Sequence, residues 1–251
     1  MNNLLTNRKV LVTGGARGLG LAFATRIAEQ GASVVIADVL HELAQQEAQR
    51  LSATGLQVHA LALDLTSPES VADCADEAIA HLGGLDGLVN NGAITNSGGV
   101  NCEDLKMDMW DRVMDVNVRG TWLMTNACSQ ALRASGQGAI VNLASDTPLW
   151  GAPRLMAYVA SKGAIIAMTR SLAREFGADN VTVNAIAPGL TLVEATAYIP
   201  KERHEFYLNG RAIKREQVPD DVCGAVVFCL SSLSRFVTGE LIAVNGGFVM
   251  H

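Results

Sequence analysis

Proline and charged residues are scarce in this chain. Its 251 residues include 6 prolines, and Asp, Glu, Lys and Arg together make up only 18% of them. Hydrophobic residues make up 49%, and glycine is plentiful at 24. Because disordered and low-complexity chains are polar and charged, this composition excludes them and favours a compact protein with a well-buried sheet. No linker or internal repeat divides the sequence, so we predict a single domain over residues 1–251.

The signals of several other protein classes are missing as well. The net charge of −6 has the wrong sign for a surface that follows nucleic-acid phosphates, so no nucleic-acid partner is expected. No run of about 18 apolar residues could span a membrane, and the first residues, MNNLLTNRKVLVTGG, lack the apolar core of a signal peptide. The 5 cysteines have no CxxC spacing, which favours free thiols in a reducing cytoplasm, and the 5 histidines have no spacing typical of a metal site.

Short β-branched runs alternate with helical segments along the chain. The predicted strands are Lys9–Thr13, Ser33–Asp38, Val58–Asp64, Gly87–Asn90, Ala139–Ser145, Val181–Ala187 and Glu240–Asn245. The predicted helices are Leu19–Gln30, His41–Ala53, one that begins at Pro68, a long one over Met107–Ala134, and Tyr158–Phe176. Nearly continuous apolar strands separated by helices are typical of a parallel sheet covered on both faces. The predicted fold is therefore α/β, a doubly wound, Rossmann-like parallel sheet of about seven strands.

A glycine-rich turn, TGGARGLG, follows the first predicted strand and opens the first predicted helix. Gly14, Gly18 and Gly20 would let the backbone approach a pyrophosphate, which would lie at the positive end of the helix dipole. Three such glycines also suit an ordinary strand-to-helix turn. Asp38, at the end of the second strand, favours a dinucleotide site over that plainer interpretation.

Asp38 also bears on which dinucleotide binds. A carboxylate at this position accepts hydrogen bonds from both adenosine ribose hydroxyls and repels a 2′-phosphate. Arg17 in the glycine turn favours the phosphorylated cofactor instead, but Val39 adds no positive charge beside Asp38. We therefore predict NAD rather than NADP.

Taken together, the motifs of this chain resemble the short-chain dehydrogenase/reductase family, in its single-domain branch. They stand in the family's order: TGGARGLG, Asp64 after the third strand, NNGA, Asn117 within DVNVRG, Ser145, YVASK, NAIAPG and TGELIAVNGG. The resemblance implies an oxidoreductase that transfers a hydride between NAD(H) and a secondary alcohol or ketone. It also implies a homotetramer, or a dimer, built through the helices that contain Asn117 and Tyr158.

One motif departs from the family. This chain has Gly92 before Ala93, where the family usually has alanine before glycine. If that second position needs a left-handed backbone, Ala93 would be strained and the turn beside the nicotinamide ribose would shift.

The resemblance assigns a role to each matching residue. The implied catalytic residues are Asn117, Ser145, Tyr158 and Lys162. The implied cofactor residues are Thr13, Gly14, Arg17, Gly18, Leu19, Gly20, Asp38, Asp64, Leu65, Asn91, Tyr158, Lys162, Pro188, Gly189 and Thr191. By this likeness Asp64 and Leu65 lie beside the adenine and Asn91 lies along the adenosine ribose, while residues 188–191 border the nicotinamide.

Tyr158 and Lys162 stand at i and i+4, so one helix face carries both. We expect the ammonium to favour the phenolate and lower the pKa of Tyr158, with the positive nicotinamide ring acting in the same direction. Tyr158 could then act as general base for alcohol oxidation and general acid for ketone reduction. The resemblance further implies that Ser145 donates a hydrogen bond to the substrate oxygen, that Lys162 holds the nicotinamide ribose, and that Asn117 holds a water between Lys162 and solvent.

Substrate residues are expected in loops beyond the carboxyl ends of the strands. We predict Ser145, Thr147, Trp150 and Tyr198, although Trp150 could equally be a packing or subunit contact. Asp146 is expected to be a solvated loop carboxylate. The mixed segment at about 190–217, called the lid segment below, is expected to close over a hydrophobic substrate, with its basic side chains on a solvated face.

Three functions remain open. The first is an NAD-dependent alcohol dehydrogenase. The second is a 3-oxoacyl-thioester reductase that prefers NADP, against which Asp38 argues. The third is a dinucleotide-binding protein without turnover, against which the presence of both Tyr158 and Lys162 argues.

Overall fold

Seven parallel strands form the centre of the structure, a computed structural model that describes residues 3–250. The strands are β1 (Lys9–Thr13), β2 (Ser33–Asp38), β3 (Val58–Ala62), β4 (Gly87–Asn90), β5 (Ala139–Leu143), β6 (Thr182–Pro188) and β7 (Leu241–Val244). They lie in the order β3-β2-β1-β4-β5-β6-β7. The chain therefore builds outward from β1 to β3 and then returns to place β4 on the other side of β1. The predicted doubly wound parallel sheet is confirmed.

Helices cover both faces of this sheet. They are α1 (Gly18–Glu29), α2 (His41–Ser52), α3 (Pro68–Leu82), α4 (Met107–Met114), α5 (Thr121–Ala134), α6 (Thr147–Trp150), α7 (Met156–Phe176), α8 (Lys201–Gly210) and α9 (Pro219–Leu230). On one face, Phe23 and Ile27 of α1 pack with Val226 of α9 in a buried apolar cluster. On the other face, Met124 of α5 and Phe176 of α7 belong to a second cluster. Burial of both sheet faces explains why the strands are largely apolar.

Strands β3 and β5 each end two residues earlier than the sequence predicts. β3 ends at Ala62 rather than Asp64, and β5 ends at Leu143 rather than Ser145. In both places one apolar residue separates the end of the strand from the polar residue. Asp64 and Ser145 therefore lie on the loops beyond the carboxyl edge of the sheet, where ligands bind in this kind of fold.

The helix predicted over Met107–Ala134 is not continuous. A π-helical turn at Asp115–Gly120 separates α4 from α5. Such turns insert an extra residue and are frequent at functional sites. This one contains Asn117.

Helix α9 was not predicted, although its start carries a recognisable signal. Pro219 occupies the first helical turn, and the side chain of Asp221 accepts a hydrogen bond from the backbone nitrogen of Val218 at 2.9 Å. Proline followed by acidic residues is typical of a helix N-terminus.

Within residues 3–250, no helix is both long and apolar enough to span a bilayer, and no three His, Cys, Asp or Glu side chains come together as a metal site. The cysteines are free thiols; Cys102 is exposed, and the other four are buried.

A buried asparagine ladder joins the middle of the sheet to two helices. Asn90 of β4 donates through Nδ2 to Asn142 Oδ1 of β5 at 2.9 Å, and Asn142 donates through Nδ2 to Thr169 Oγ1 of α7 at 3.0 Å. Asn90 Nδ2 also reaches Thr125 Oγ1 of α5 at 3.1 Å. The ladder fixes α7, which carries Tyr158 and Lys162, against the strand that leads to Ser145.

Replacing Asn142 with alanine should lower the free energy of unfolding by about 2–4 kcal/mol, because Asn90 and Thr169 each lose a buried partner. Urea denaturation measures the change. Asn101→Ala is the matched control, since Asn101 is exposed and should shift stability by less than about 0.5 kcal/mol. Equal effects of the two substitutions would contradict the role assigned to the ladder.

Candidate active site

The glycine turn between β1 and α1 is held by close backbone contacts. Gly14 and Gly18 adopt left-handed backbones, with φ of 63° and 58°. A Cβ added at Gly20 would lie only 2.0 Å from the carbonyl oxygen of Gly14. A side chain is therefore excluded at Gly20, and backbone amides at the N-terminus of α1 could bind an anion.

Asn91 and Thr13 brace the glycine turn from the neighbouring strand. Asn91 Nδ2 donates to the carbonyl oxygens of Thr13 at 3.0 Å and of Gly14 at 2.9 Å. Thr13 Oγ1 in turn accepts from the backbone nitrogens of Asn91 at 3.1 Å and Gly92 at 3.0 Å. Both side chains thus hold the loops after β1 and β4 together.

The exchanged Gly92-Ala93 pair causes no backbone strain. Ala93 does not adopt a left-handed backbone, so the condition under which it would be strained is not met. Gly92 is instead needed for space, because a Cβ there would lie 2.8 Å from Leu65 Cδ1. Leu65, at 9% exposure, fills the room that glycine leaves.

Asp38 lies directly against the glycine turn. Its side chain is buried at 9% exposure, with Oδ2 accepting from Ala16 N and Oδ1 accepting from Leu40 N, each at 3.0 Å. A fixed negative charge thus stands at the end of β2, while Arg17 is exposed. This open turn, helix N-terminus and adjacent carboxylate fit the adenosine and pyrophosphate of a dinucleotide.

The other predicted cofactor residues lie along the same edge of the sheet. Asp64 is exposed, and its hydrogen bonds with Thr66 lower its pKa. Pro188 ends β6, and the Gly189 nitrogen donates to the Val244 carbonyl oxygen at 3.0 Å. Thr191 is buried and donates through Oγ1 to the Gly189 carbonyl at 3.1 Å. Leu19 is packed against the apolar cluster under α1.

Lys162 and Ser145 meet Tyr158 at the carboxyl end of β5. Lys162 is buried, and its Nζ donates to the Leu143 carbonyl at 2.6 Å and lies 5.7 Å from the centre of the Tyr158 ring. Burial lowers the pKa of Lys162 to about 8. Ser145 Oγ accepts hydrogen bonds from the nitrogen and the hydroxyl of Thr147, at 3.2 Å and 3.0 Å. These bonds leave the Ser145 proton free to be donated elsewhere.

The pKa of Tyr158 differs from the expectation. Burial raises it to about 12; a hydrogen bond with Ser145 acts to lower it, and the charge of Asp146 acts to raise it. The expected depression by Lys162 is not found, and the cost of burying a phenolate is the largest influence on this pKa. The Lys162 ammonium is also bonded to a backbone carbonyl rather than to the phenol.

Asn117 connects three parts of the site. Its Oδ1 accepts from Ile94 N at 2.7 Å, and its Nδ2 donates to Ile94 O at 3.0 Å and to Ser161 Oγ at 3.1 Å. The side chain therefore joins the π-helical turn to the loop after β4 and to α7. Its implied role in holding a water stays a prediction.

The predicted substrate residues occupy different positions. Thr147 is buried beside Ser145, whereas Tyr198 is half exposed and donates from its hydroxyl to the Thr95 carbonyl at 2.8 Å. Trp150 packs at 5.6 Å between ring centres against both Phe206 and Phe248, which supports the packing alternative.

Two charged side chains were wrongly expected to be solvated. Asp146 is completely buried, at 0% exposure, and accepts a hydrogen bond from the hydroxyl of Tyr207 at 3.0 Å. Arg211 is buried at 3% exposure. The other basic side chains of the lid segment are at least partly exposed: Lys201, Arg203, His204, Lys214 and Arg215. The burial of Asp146 had no signal in the sequence, since its hydrogen bond joins residues 61 positions apart.

The lid segment is an ordered excursion with paired ends. Thr191 and Gln217 form a parallel bridge, and Leu192 N donates to Gln217 O at 2.9 Å. Its first part lies over the glycine turn, since a Cβ at Gly18 would be 3.7 Å from Val193 Cβ and from Glu194 Oε2. Its second part contains α8, which packs through Tyr207 against the loop after Ser145.

Known proteins share this architecture along nearly the whole chain. A family profile described as Enoyl-(Acyl carrier protein) reductase matches residues 14–249. The chain is 35% identical to 2-(S)-hydroxypropyl-CoM dehydrogenase 3 of Xanthobacter autotrophicus, covering 98% of both chains. It is 33% identical to the 3-oxoacyl-(acyl-carrier-protein) reductase FabG of Chlamydia muridarum, covering 98% of this chain and 99% of that protein. A solved short-chain type dehydrogenase/reductase from Mycobacterium ulcerans is similar at a TM-score of 0.93 and 29% identity, covering 97% of this chain and 90% of that one.

Replacing Gly20 with alanine should weaken NADH binding at least about 100-fold, because the added Cβ would force the Gly14 carbonyl out of the turn. NADH fluorescence titration measures the affinity, and far-UV circular dichroism checks the fold. Gly224→Ala is the control, since a Cβ on that glycine of α9 meets nothing within 4 Å. Equal NADH affinity of the two variants would show that the turn does not bind the dinucleotide.

Proposed function

The chain belongs to the short-chain dehydrogenase/reductase family, and from that premise we propose that it is an NAD-dependent oxidoreductase that interconverts a secondary alcohol and its ketone. Members of this family bind a nicotinamide dinucleotide and act as oxidoreductases. The observation that carries the proposal is the convergence of Ser145, Tyr158 and Lys162 at the sheet edge that also carries the glycine turn and Asp38.

The side chains divide the chemistry between them. When bound, the dinucleotide supplies the hydride acceptor or donor and, when oxidised, a positive charge. Tyr158 exchanges the proton of the substrate hydroxyl. Ser145 donates to the substrate oxygen, with its own oxygen held by Thr147, and so stabilises developing negative charge. Lys162 adds positive charge below a pH of about 8, the pKa to which burial lowers it.

A phenol with a pKa of about 12 is a poor base at neutral pH, so it needs further help to ionise. The positive charge of the oxidised ring would favour the phenolate. Because the hydrogen bond with Ser145 acts in the same direction, two groups oppose the cost of burial. Tyr158 in this proposal is therefore a strong proton donor for ketone reduction only when its surroundings are assembled.

The choice of NAD rests on Asp38. Its carboxylate is fixed by two backbone nitrogens, so it cannot turn away from a 2′-phosphate without losing both bonds. Arg17 is exposed and makes no comparable fixed contact. One ordered negative charge outweighs one mobile positive charge at that position.

A secondary alcohol is the favoured substrate, since the relative from Xanthobacter autotrophicus is a dehydrogenase of a 2-hydroxypropyl compound. A second function, reduction of a 3-oxoacyl thioester with NADPH, is favoured by the relative from Chlamydia muridarum and by the description of the family profile.

We also propose a homotetramer, or a dimer, because the apolar side chains of Val118, Trp122 and Met168 line an open groove on the helices that would form its interface.

Tyr158→Phe should reduce turnover about 1,000-fold, because the proton donor is lost while the ring still fills its place. NADH affinity should persist, since the hydroxyl is not part of the glycine turn. Initial rates and NADH fluorescence titration measure the two quantities on one preparation. Undiminished turnover would remove Tyr158 from the mechanism, and absence of turnover in the unaltered protein on every substrate would favour the non-catalytic alternative.

The unaltered protein should reduce butanone or cyclopentanone with NADH faster than acetoacetyl-coenzyme A with NADPH. Asp38→Asn should narrow the NADH preference by at least about tenfold, since one charge beside the ribose is removed and the side-chain shape is kept. Initial rates with both cofactors across the three substrates measure this. A preference for NADPH with the thioester would establish the second function instead.

A further inference from the structure

The residue after Ser145 is a completely buried carboxylate. Asp146 Oδ1 accepts from the Tyr207 hydroxyl at 3.0 Å, whereas Oδ2 is buried without a hydrogen-bond partner among residues 3–250. Its backbone nitrogen donates to Pro188 O at 3.1 Å, so this loop is also fixed to the end of β6. A carboxylate held in this way costs free energy that a neutral side chain of the same shape would avoid.

Tyr207, on the opposite side of this bond, is the buried residue of α8. Its exposure is 4%, and its ring stacks on Phe248 at 4.3 Å and meets the edge of Trp150 at 6.0 Å. The hydroxyl bond to Asp146 therefore comes from a side chain that packing has already fixed. Because α8 belongs to the lid segment, this bond joins the lid segment to the loop that carries Ser145.

Arg211 places the opposing charge on the same cluster. Its guanidinium carbon lies 5.4 Å from the centre of the Tyr207 ring, and its nitrogens donate to Leu190 O at 2.6 Å and Arg215 O at 3.2 Å. It thus ties the beginning of the lid segment to its end. The charges of Asp146 and Arg211 attract each other across Tyr207 without direct contact.

We propose that Asp146 and Tyr207 are positioning residues whose hydrogen bond holds helix α8 of the lid segment against Ser145 and Thr147, and so sets the place of the Ser145 hydroxyl. The proposal rests on the function proposed above. Asp146 precedes Thr147, whose hydroxyl holds Ser145 Oγ at 3.0 Å, so a shift of Asp146 is passed to Ser145 through one residue. A displacement of the lid segment would therefore also displace the loop that carries Ser145.

Asp146 also acts on charge. Three charged or titratable groups surround it: Tyr158 on α7, Tyr207 on α8 and Arg211 after α8. Its negative charge acts to raise the pKa of Tyr158. Removing that charge while keeping the shape should therefore move the pH profile of turnover, which a purely structural role would not do.

Burial raises the pKa of Asp146 itself to about 6. Its ordinary value is about 4, so the folded protein holds this proton more tightly than the unfolded chain does. The stability that comes from the proton is fully present below a pH of about 4 and is lost as the pH rises through about 6. Ionised Asp146 therefore lowers the melting temperature at neutral pH.

Tyr207→Phe, Asp146→Asn and the double variant test the proposal, with Asp111→Asn as the control because Asp111 is an exposed acidic residue of α4. Tyr207→Phe removes the hydrogen bond and keeps the ring. We expect kcat/KM for the best ketone of the panel to fall roughly tenfold to 100-fold, with NADH affinity unchanged. Trypsin should cleave at Lys201 and Lys214 faster than in the unaltered protein, since α8 is released.

Asp146→Asn keeps an oxygen that can accept from Tyr207. Cleavage by trypsin should stay slow, the pH profile of kcat/KM should shift to lower pH as the pKa of Tyr158 falls, and the melting temperature should lose part of its decline between pH 4 and pH 6. The double variant should be cleaved as fast as Tyr207→Phe, because that substitution removes the bond, and should show the pH shift of Asp146→Asn, because that one removes the charge.

A double variant cleaved as slowly as the unaltered protein, or rates of cleavage and turnover in Tyr207→Phe that match those of Asp111→Asn, would overturn the proposal. If no ketone or thioester is turned over by the unaltered protein, the proposed function fails. Cleavage by trypsin and the pH dependence of the melting temperature then still decide whether the Asp146–Tyr207 bond holds the lid segment.

Discussion

The site depends on the geometric constraint that neighbouring parallel strands end at the same edge of the sheet. Strand β4 lies beside β1, on the side opposite β2. The loop after β1 and the loop after β4 therefore pass each other at very close range. A Cβ at Gly14 would lie 2.7 Å from Gly92 Cα, so position 14 must lack a side chain for the crossing to form. Asn91 and Thr13 form hydrogen bonds between the two loops, so the shape of the glycine turn does not depend on a bound ligand.

The parts of the site that the sequence predicted are those that depend on short stretches of chain. Each of these features can be recognised from a few neighbouring residues: the glycine turn, the carboxylate at a strand end, and the i, i+4 pair of Tyr158 and Lys162. The parallel sheet also followed, because strands that alternate with helices along the chain are typical of such a sheet. The π-helical turn at Asp115–Gly120 did not follow, and the contacts that Asn117 makes from it, with Ile94 and Ser161, lie outside the segment.

Contacts between distant residues account for the errors. Asp146 and Tyr207 are separated by 61 positions, and nothing beside either residue indicates that they meet. The Tyr158 pKa was misjudged for a related reason. The pattern YVASK places a cation near the phenol, but it says nothing of how far both are buried, and burial is the largest influence on each of their pKa values.

Burial of charge near Ser145 therefore has opposite effects on stability and on chemistry. Lys162 and Asp146 are both held away from water, with pKa values of about 8 and about 6, so each lies nearer to neutrality than its ordinary value. Groups that titrate near neutral pH can respond to a nearby charge or proton at little cost, whereas fully solvated groups cannot. Tyr207 of the lid segment is hydrogen-bonded to Asp146. The position of the lid segment therefore depends on the charge of Asp146. In this proposal the Asp146 carboxylate therefore affects both the position of the lid segment and the pKa of Tyr158.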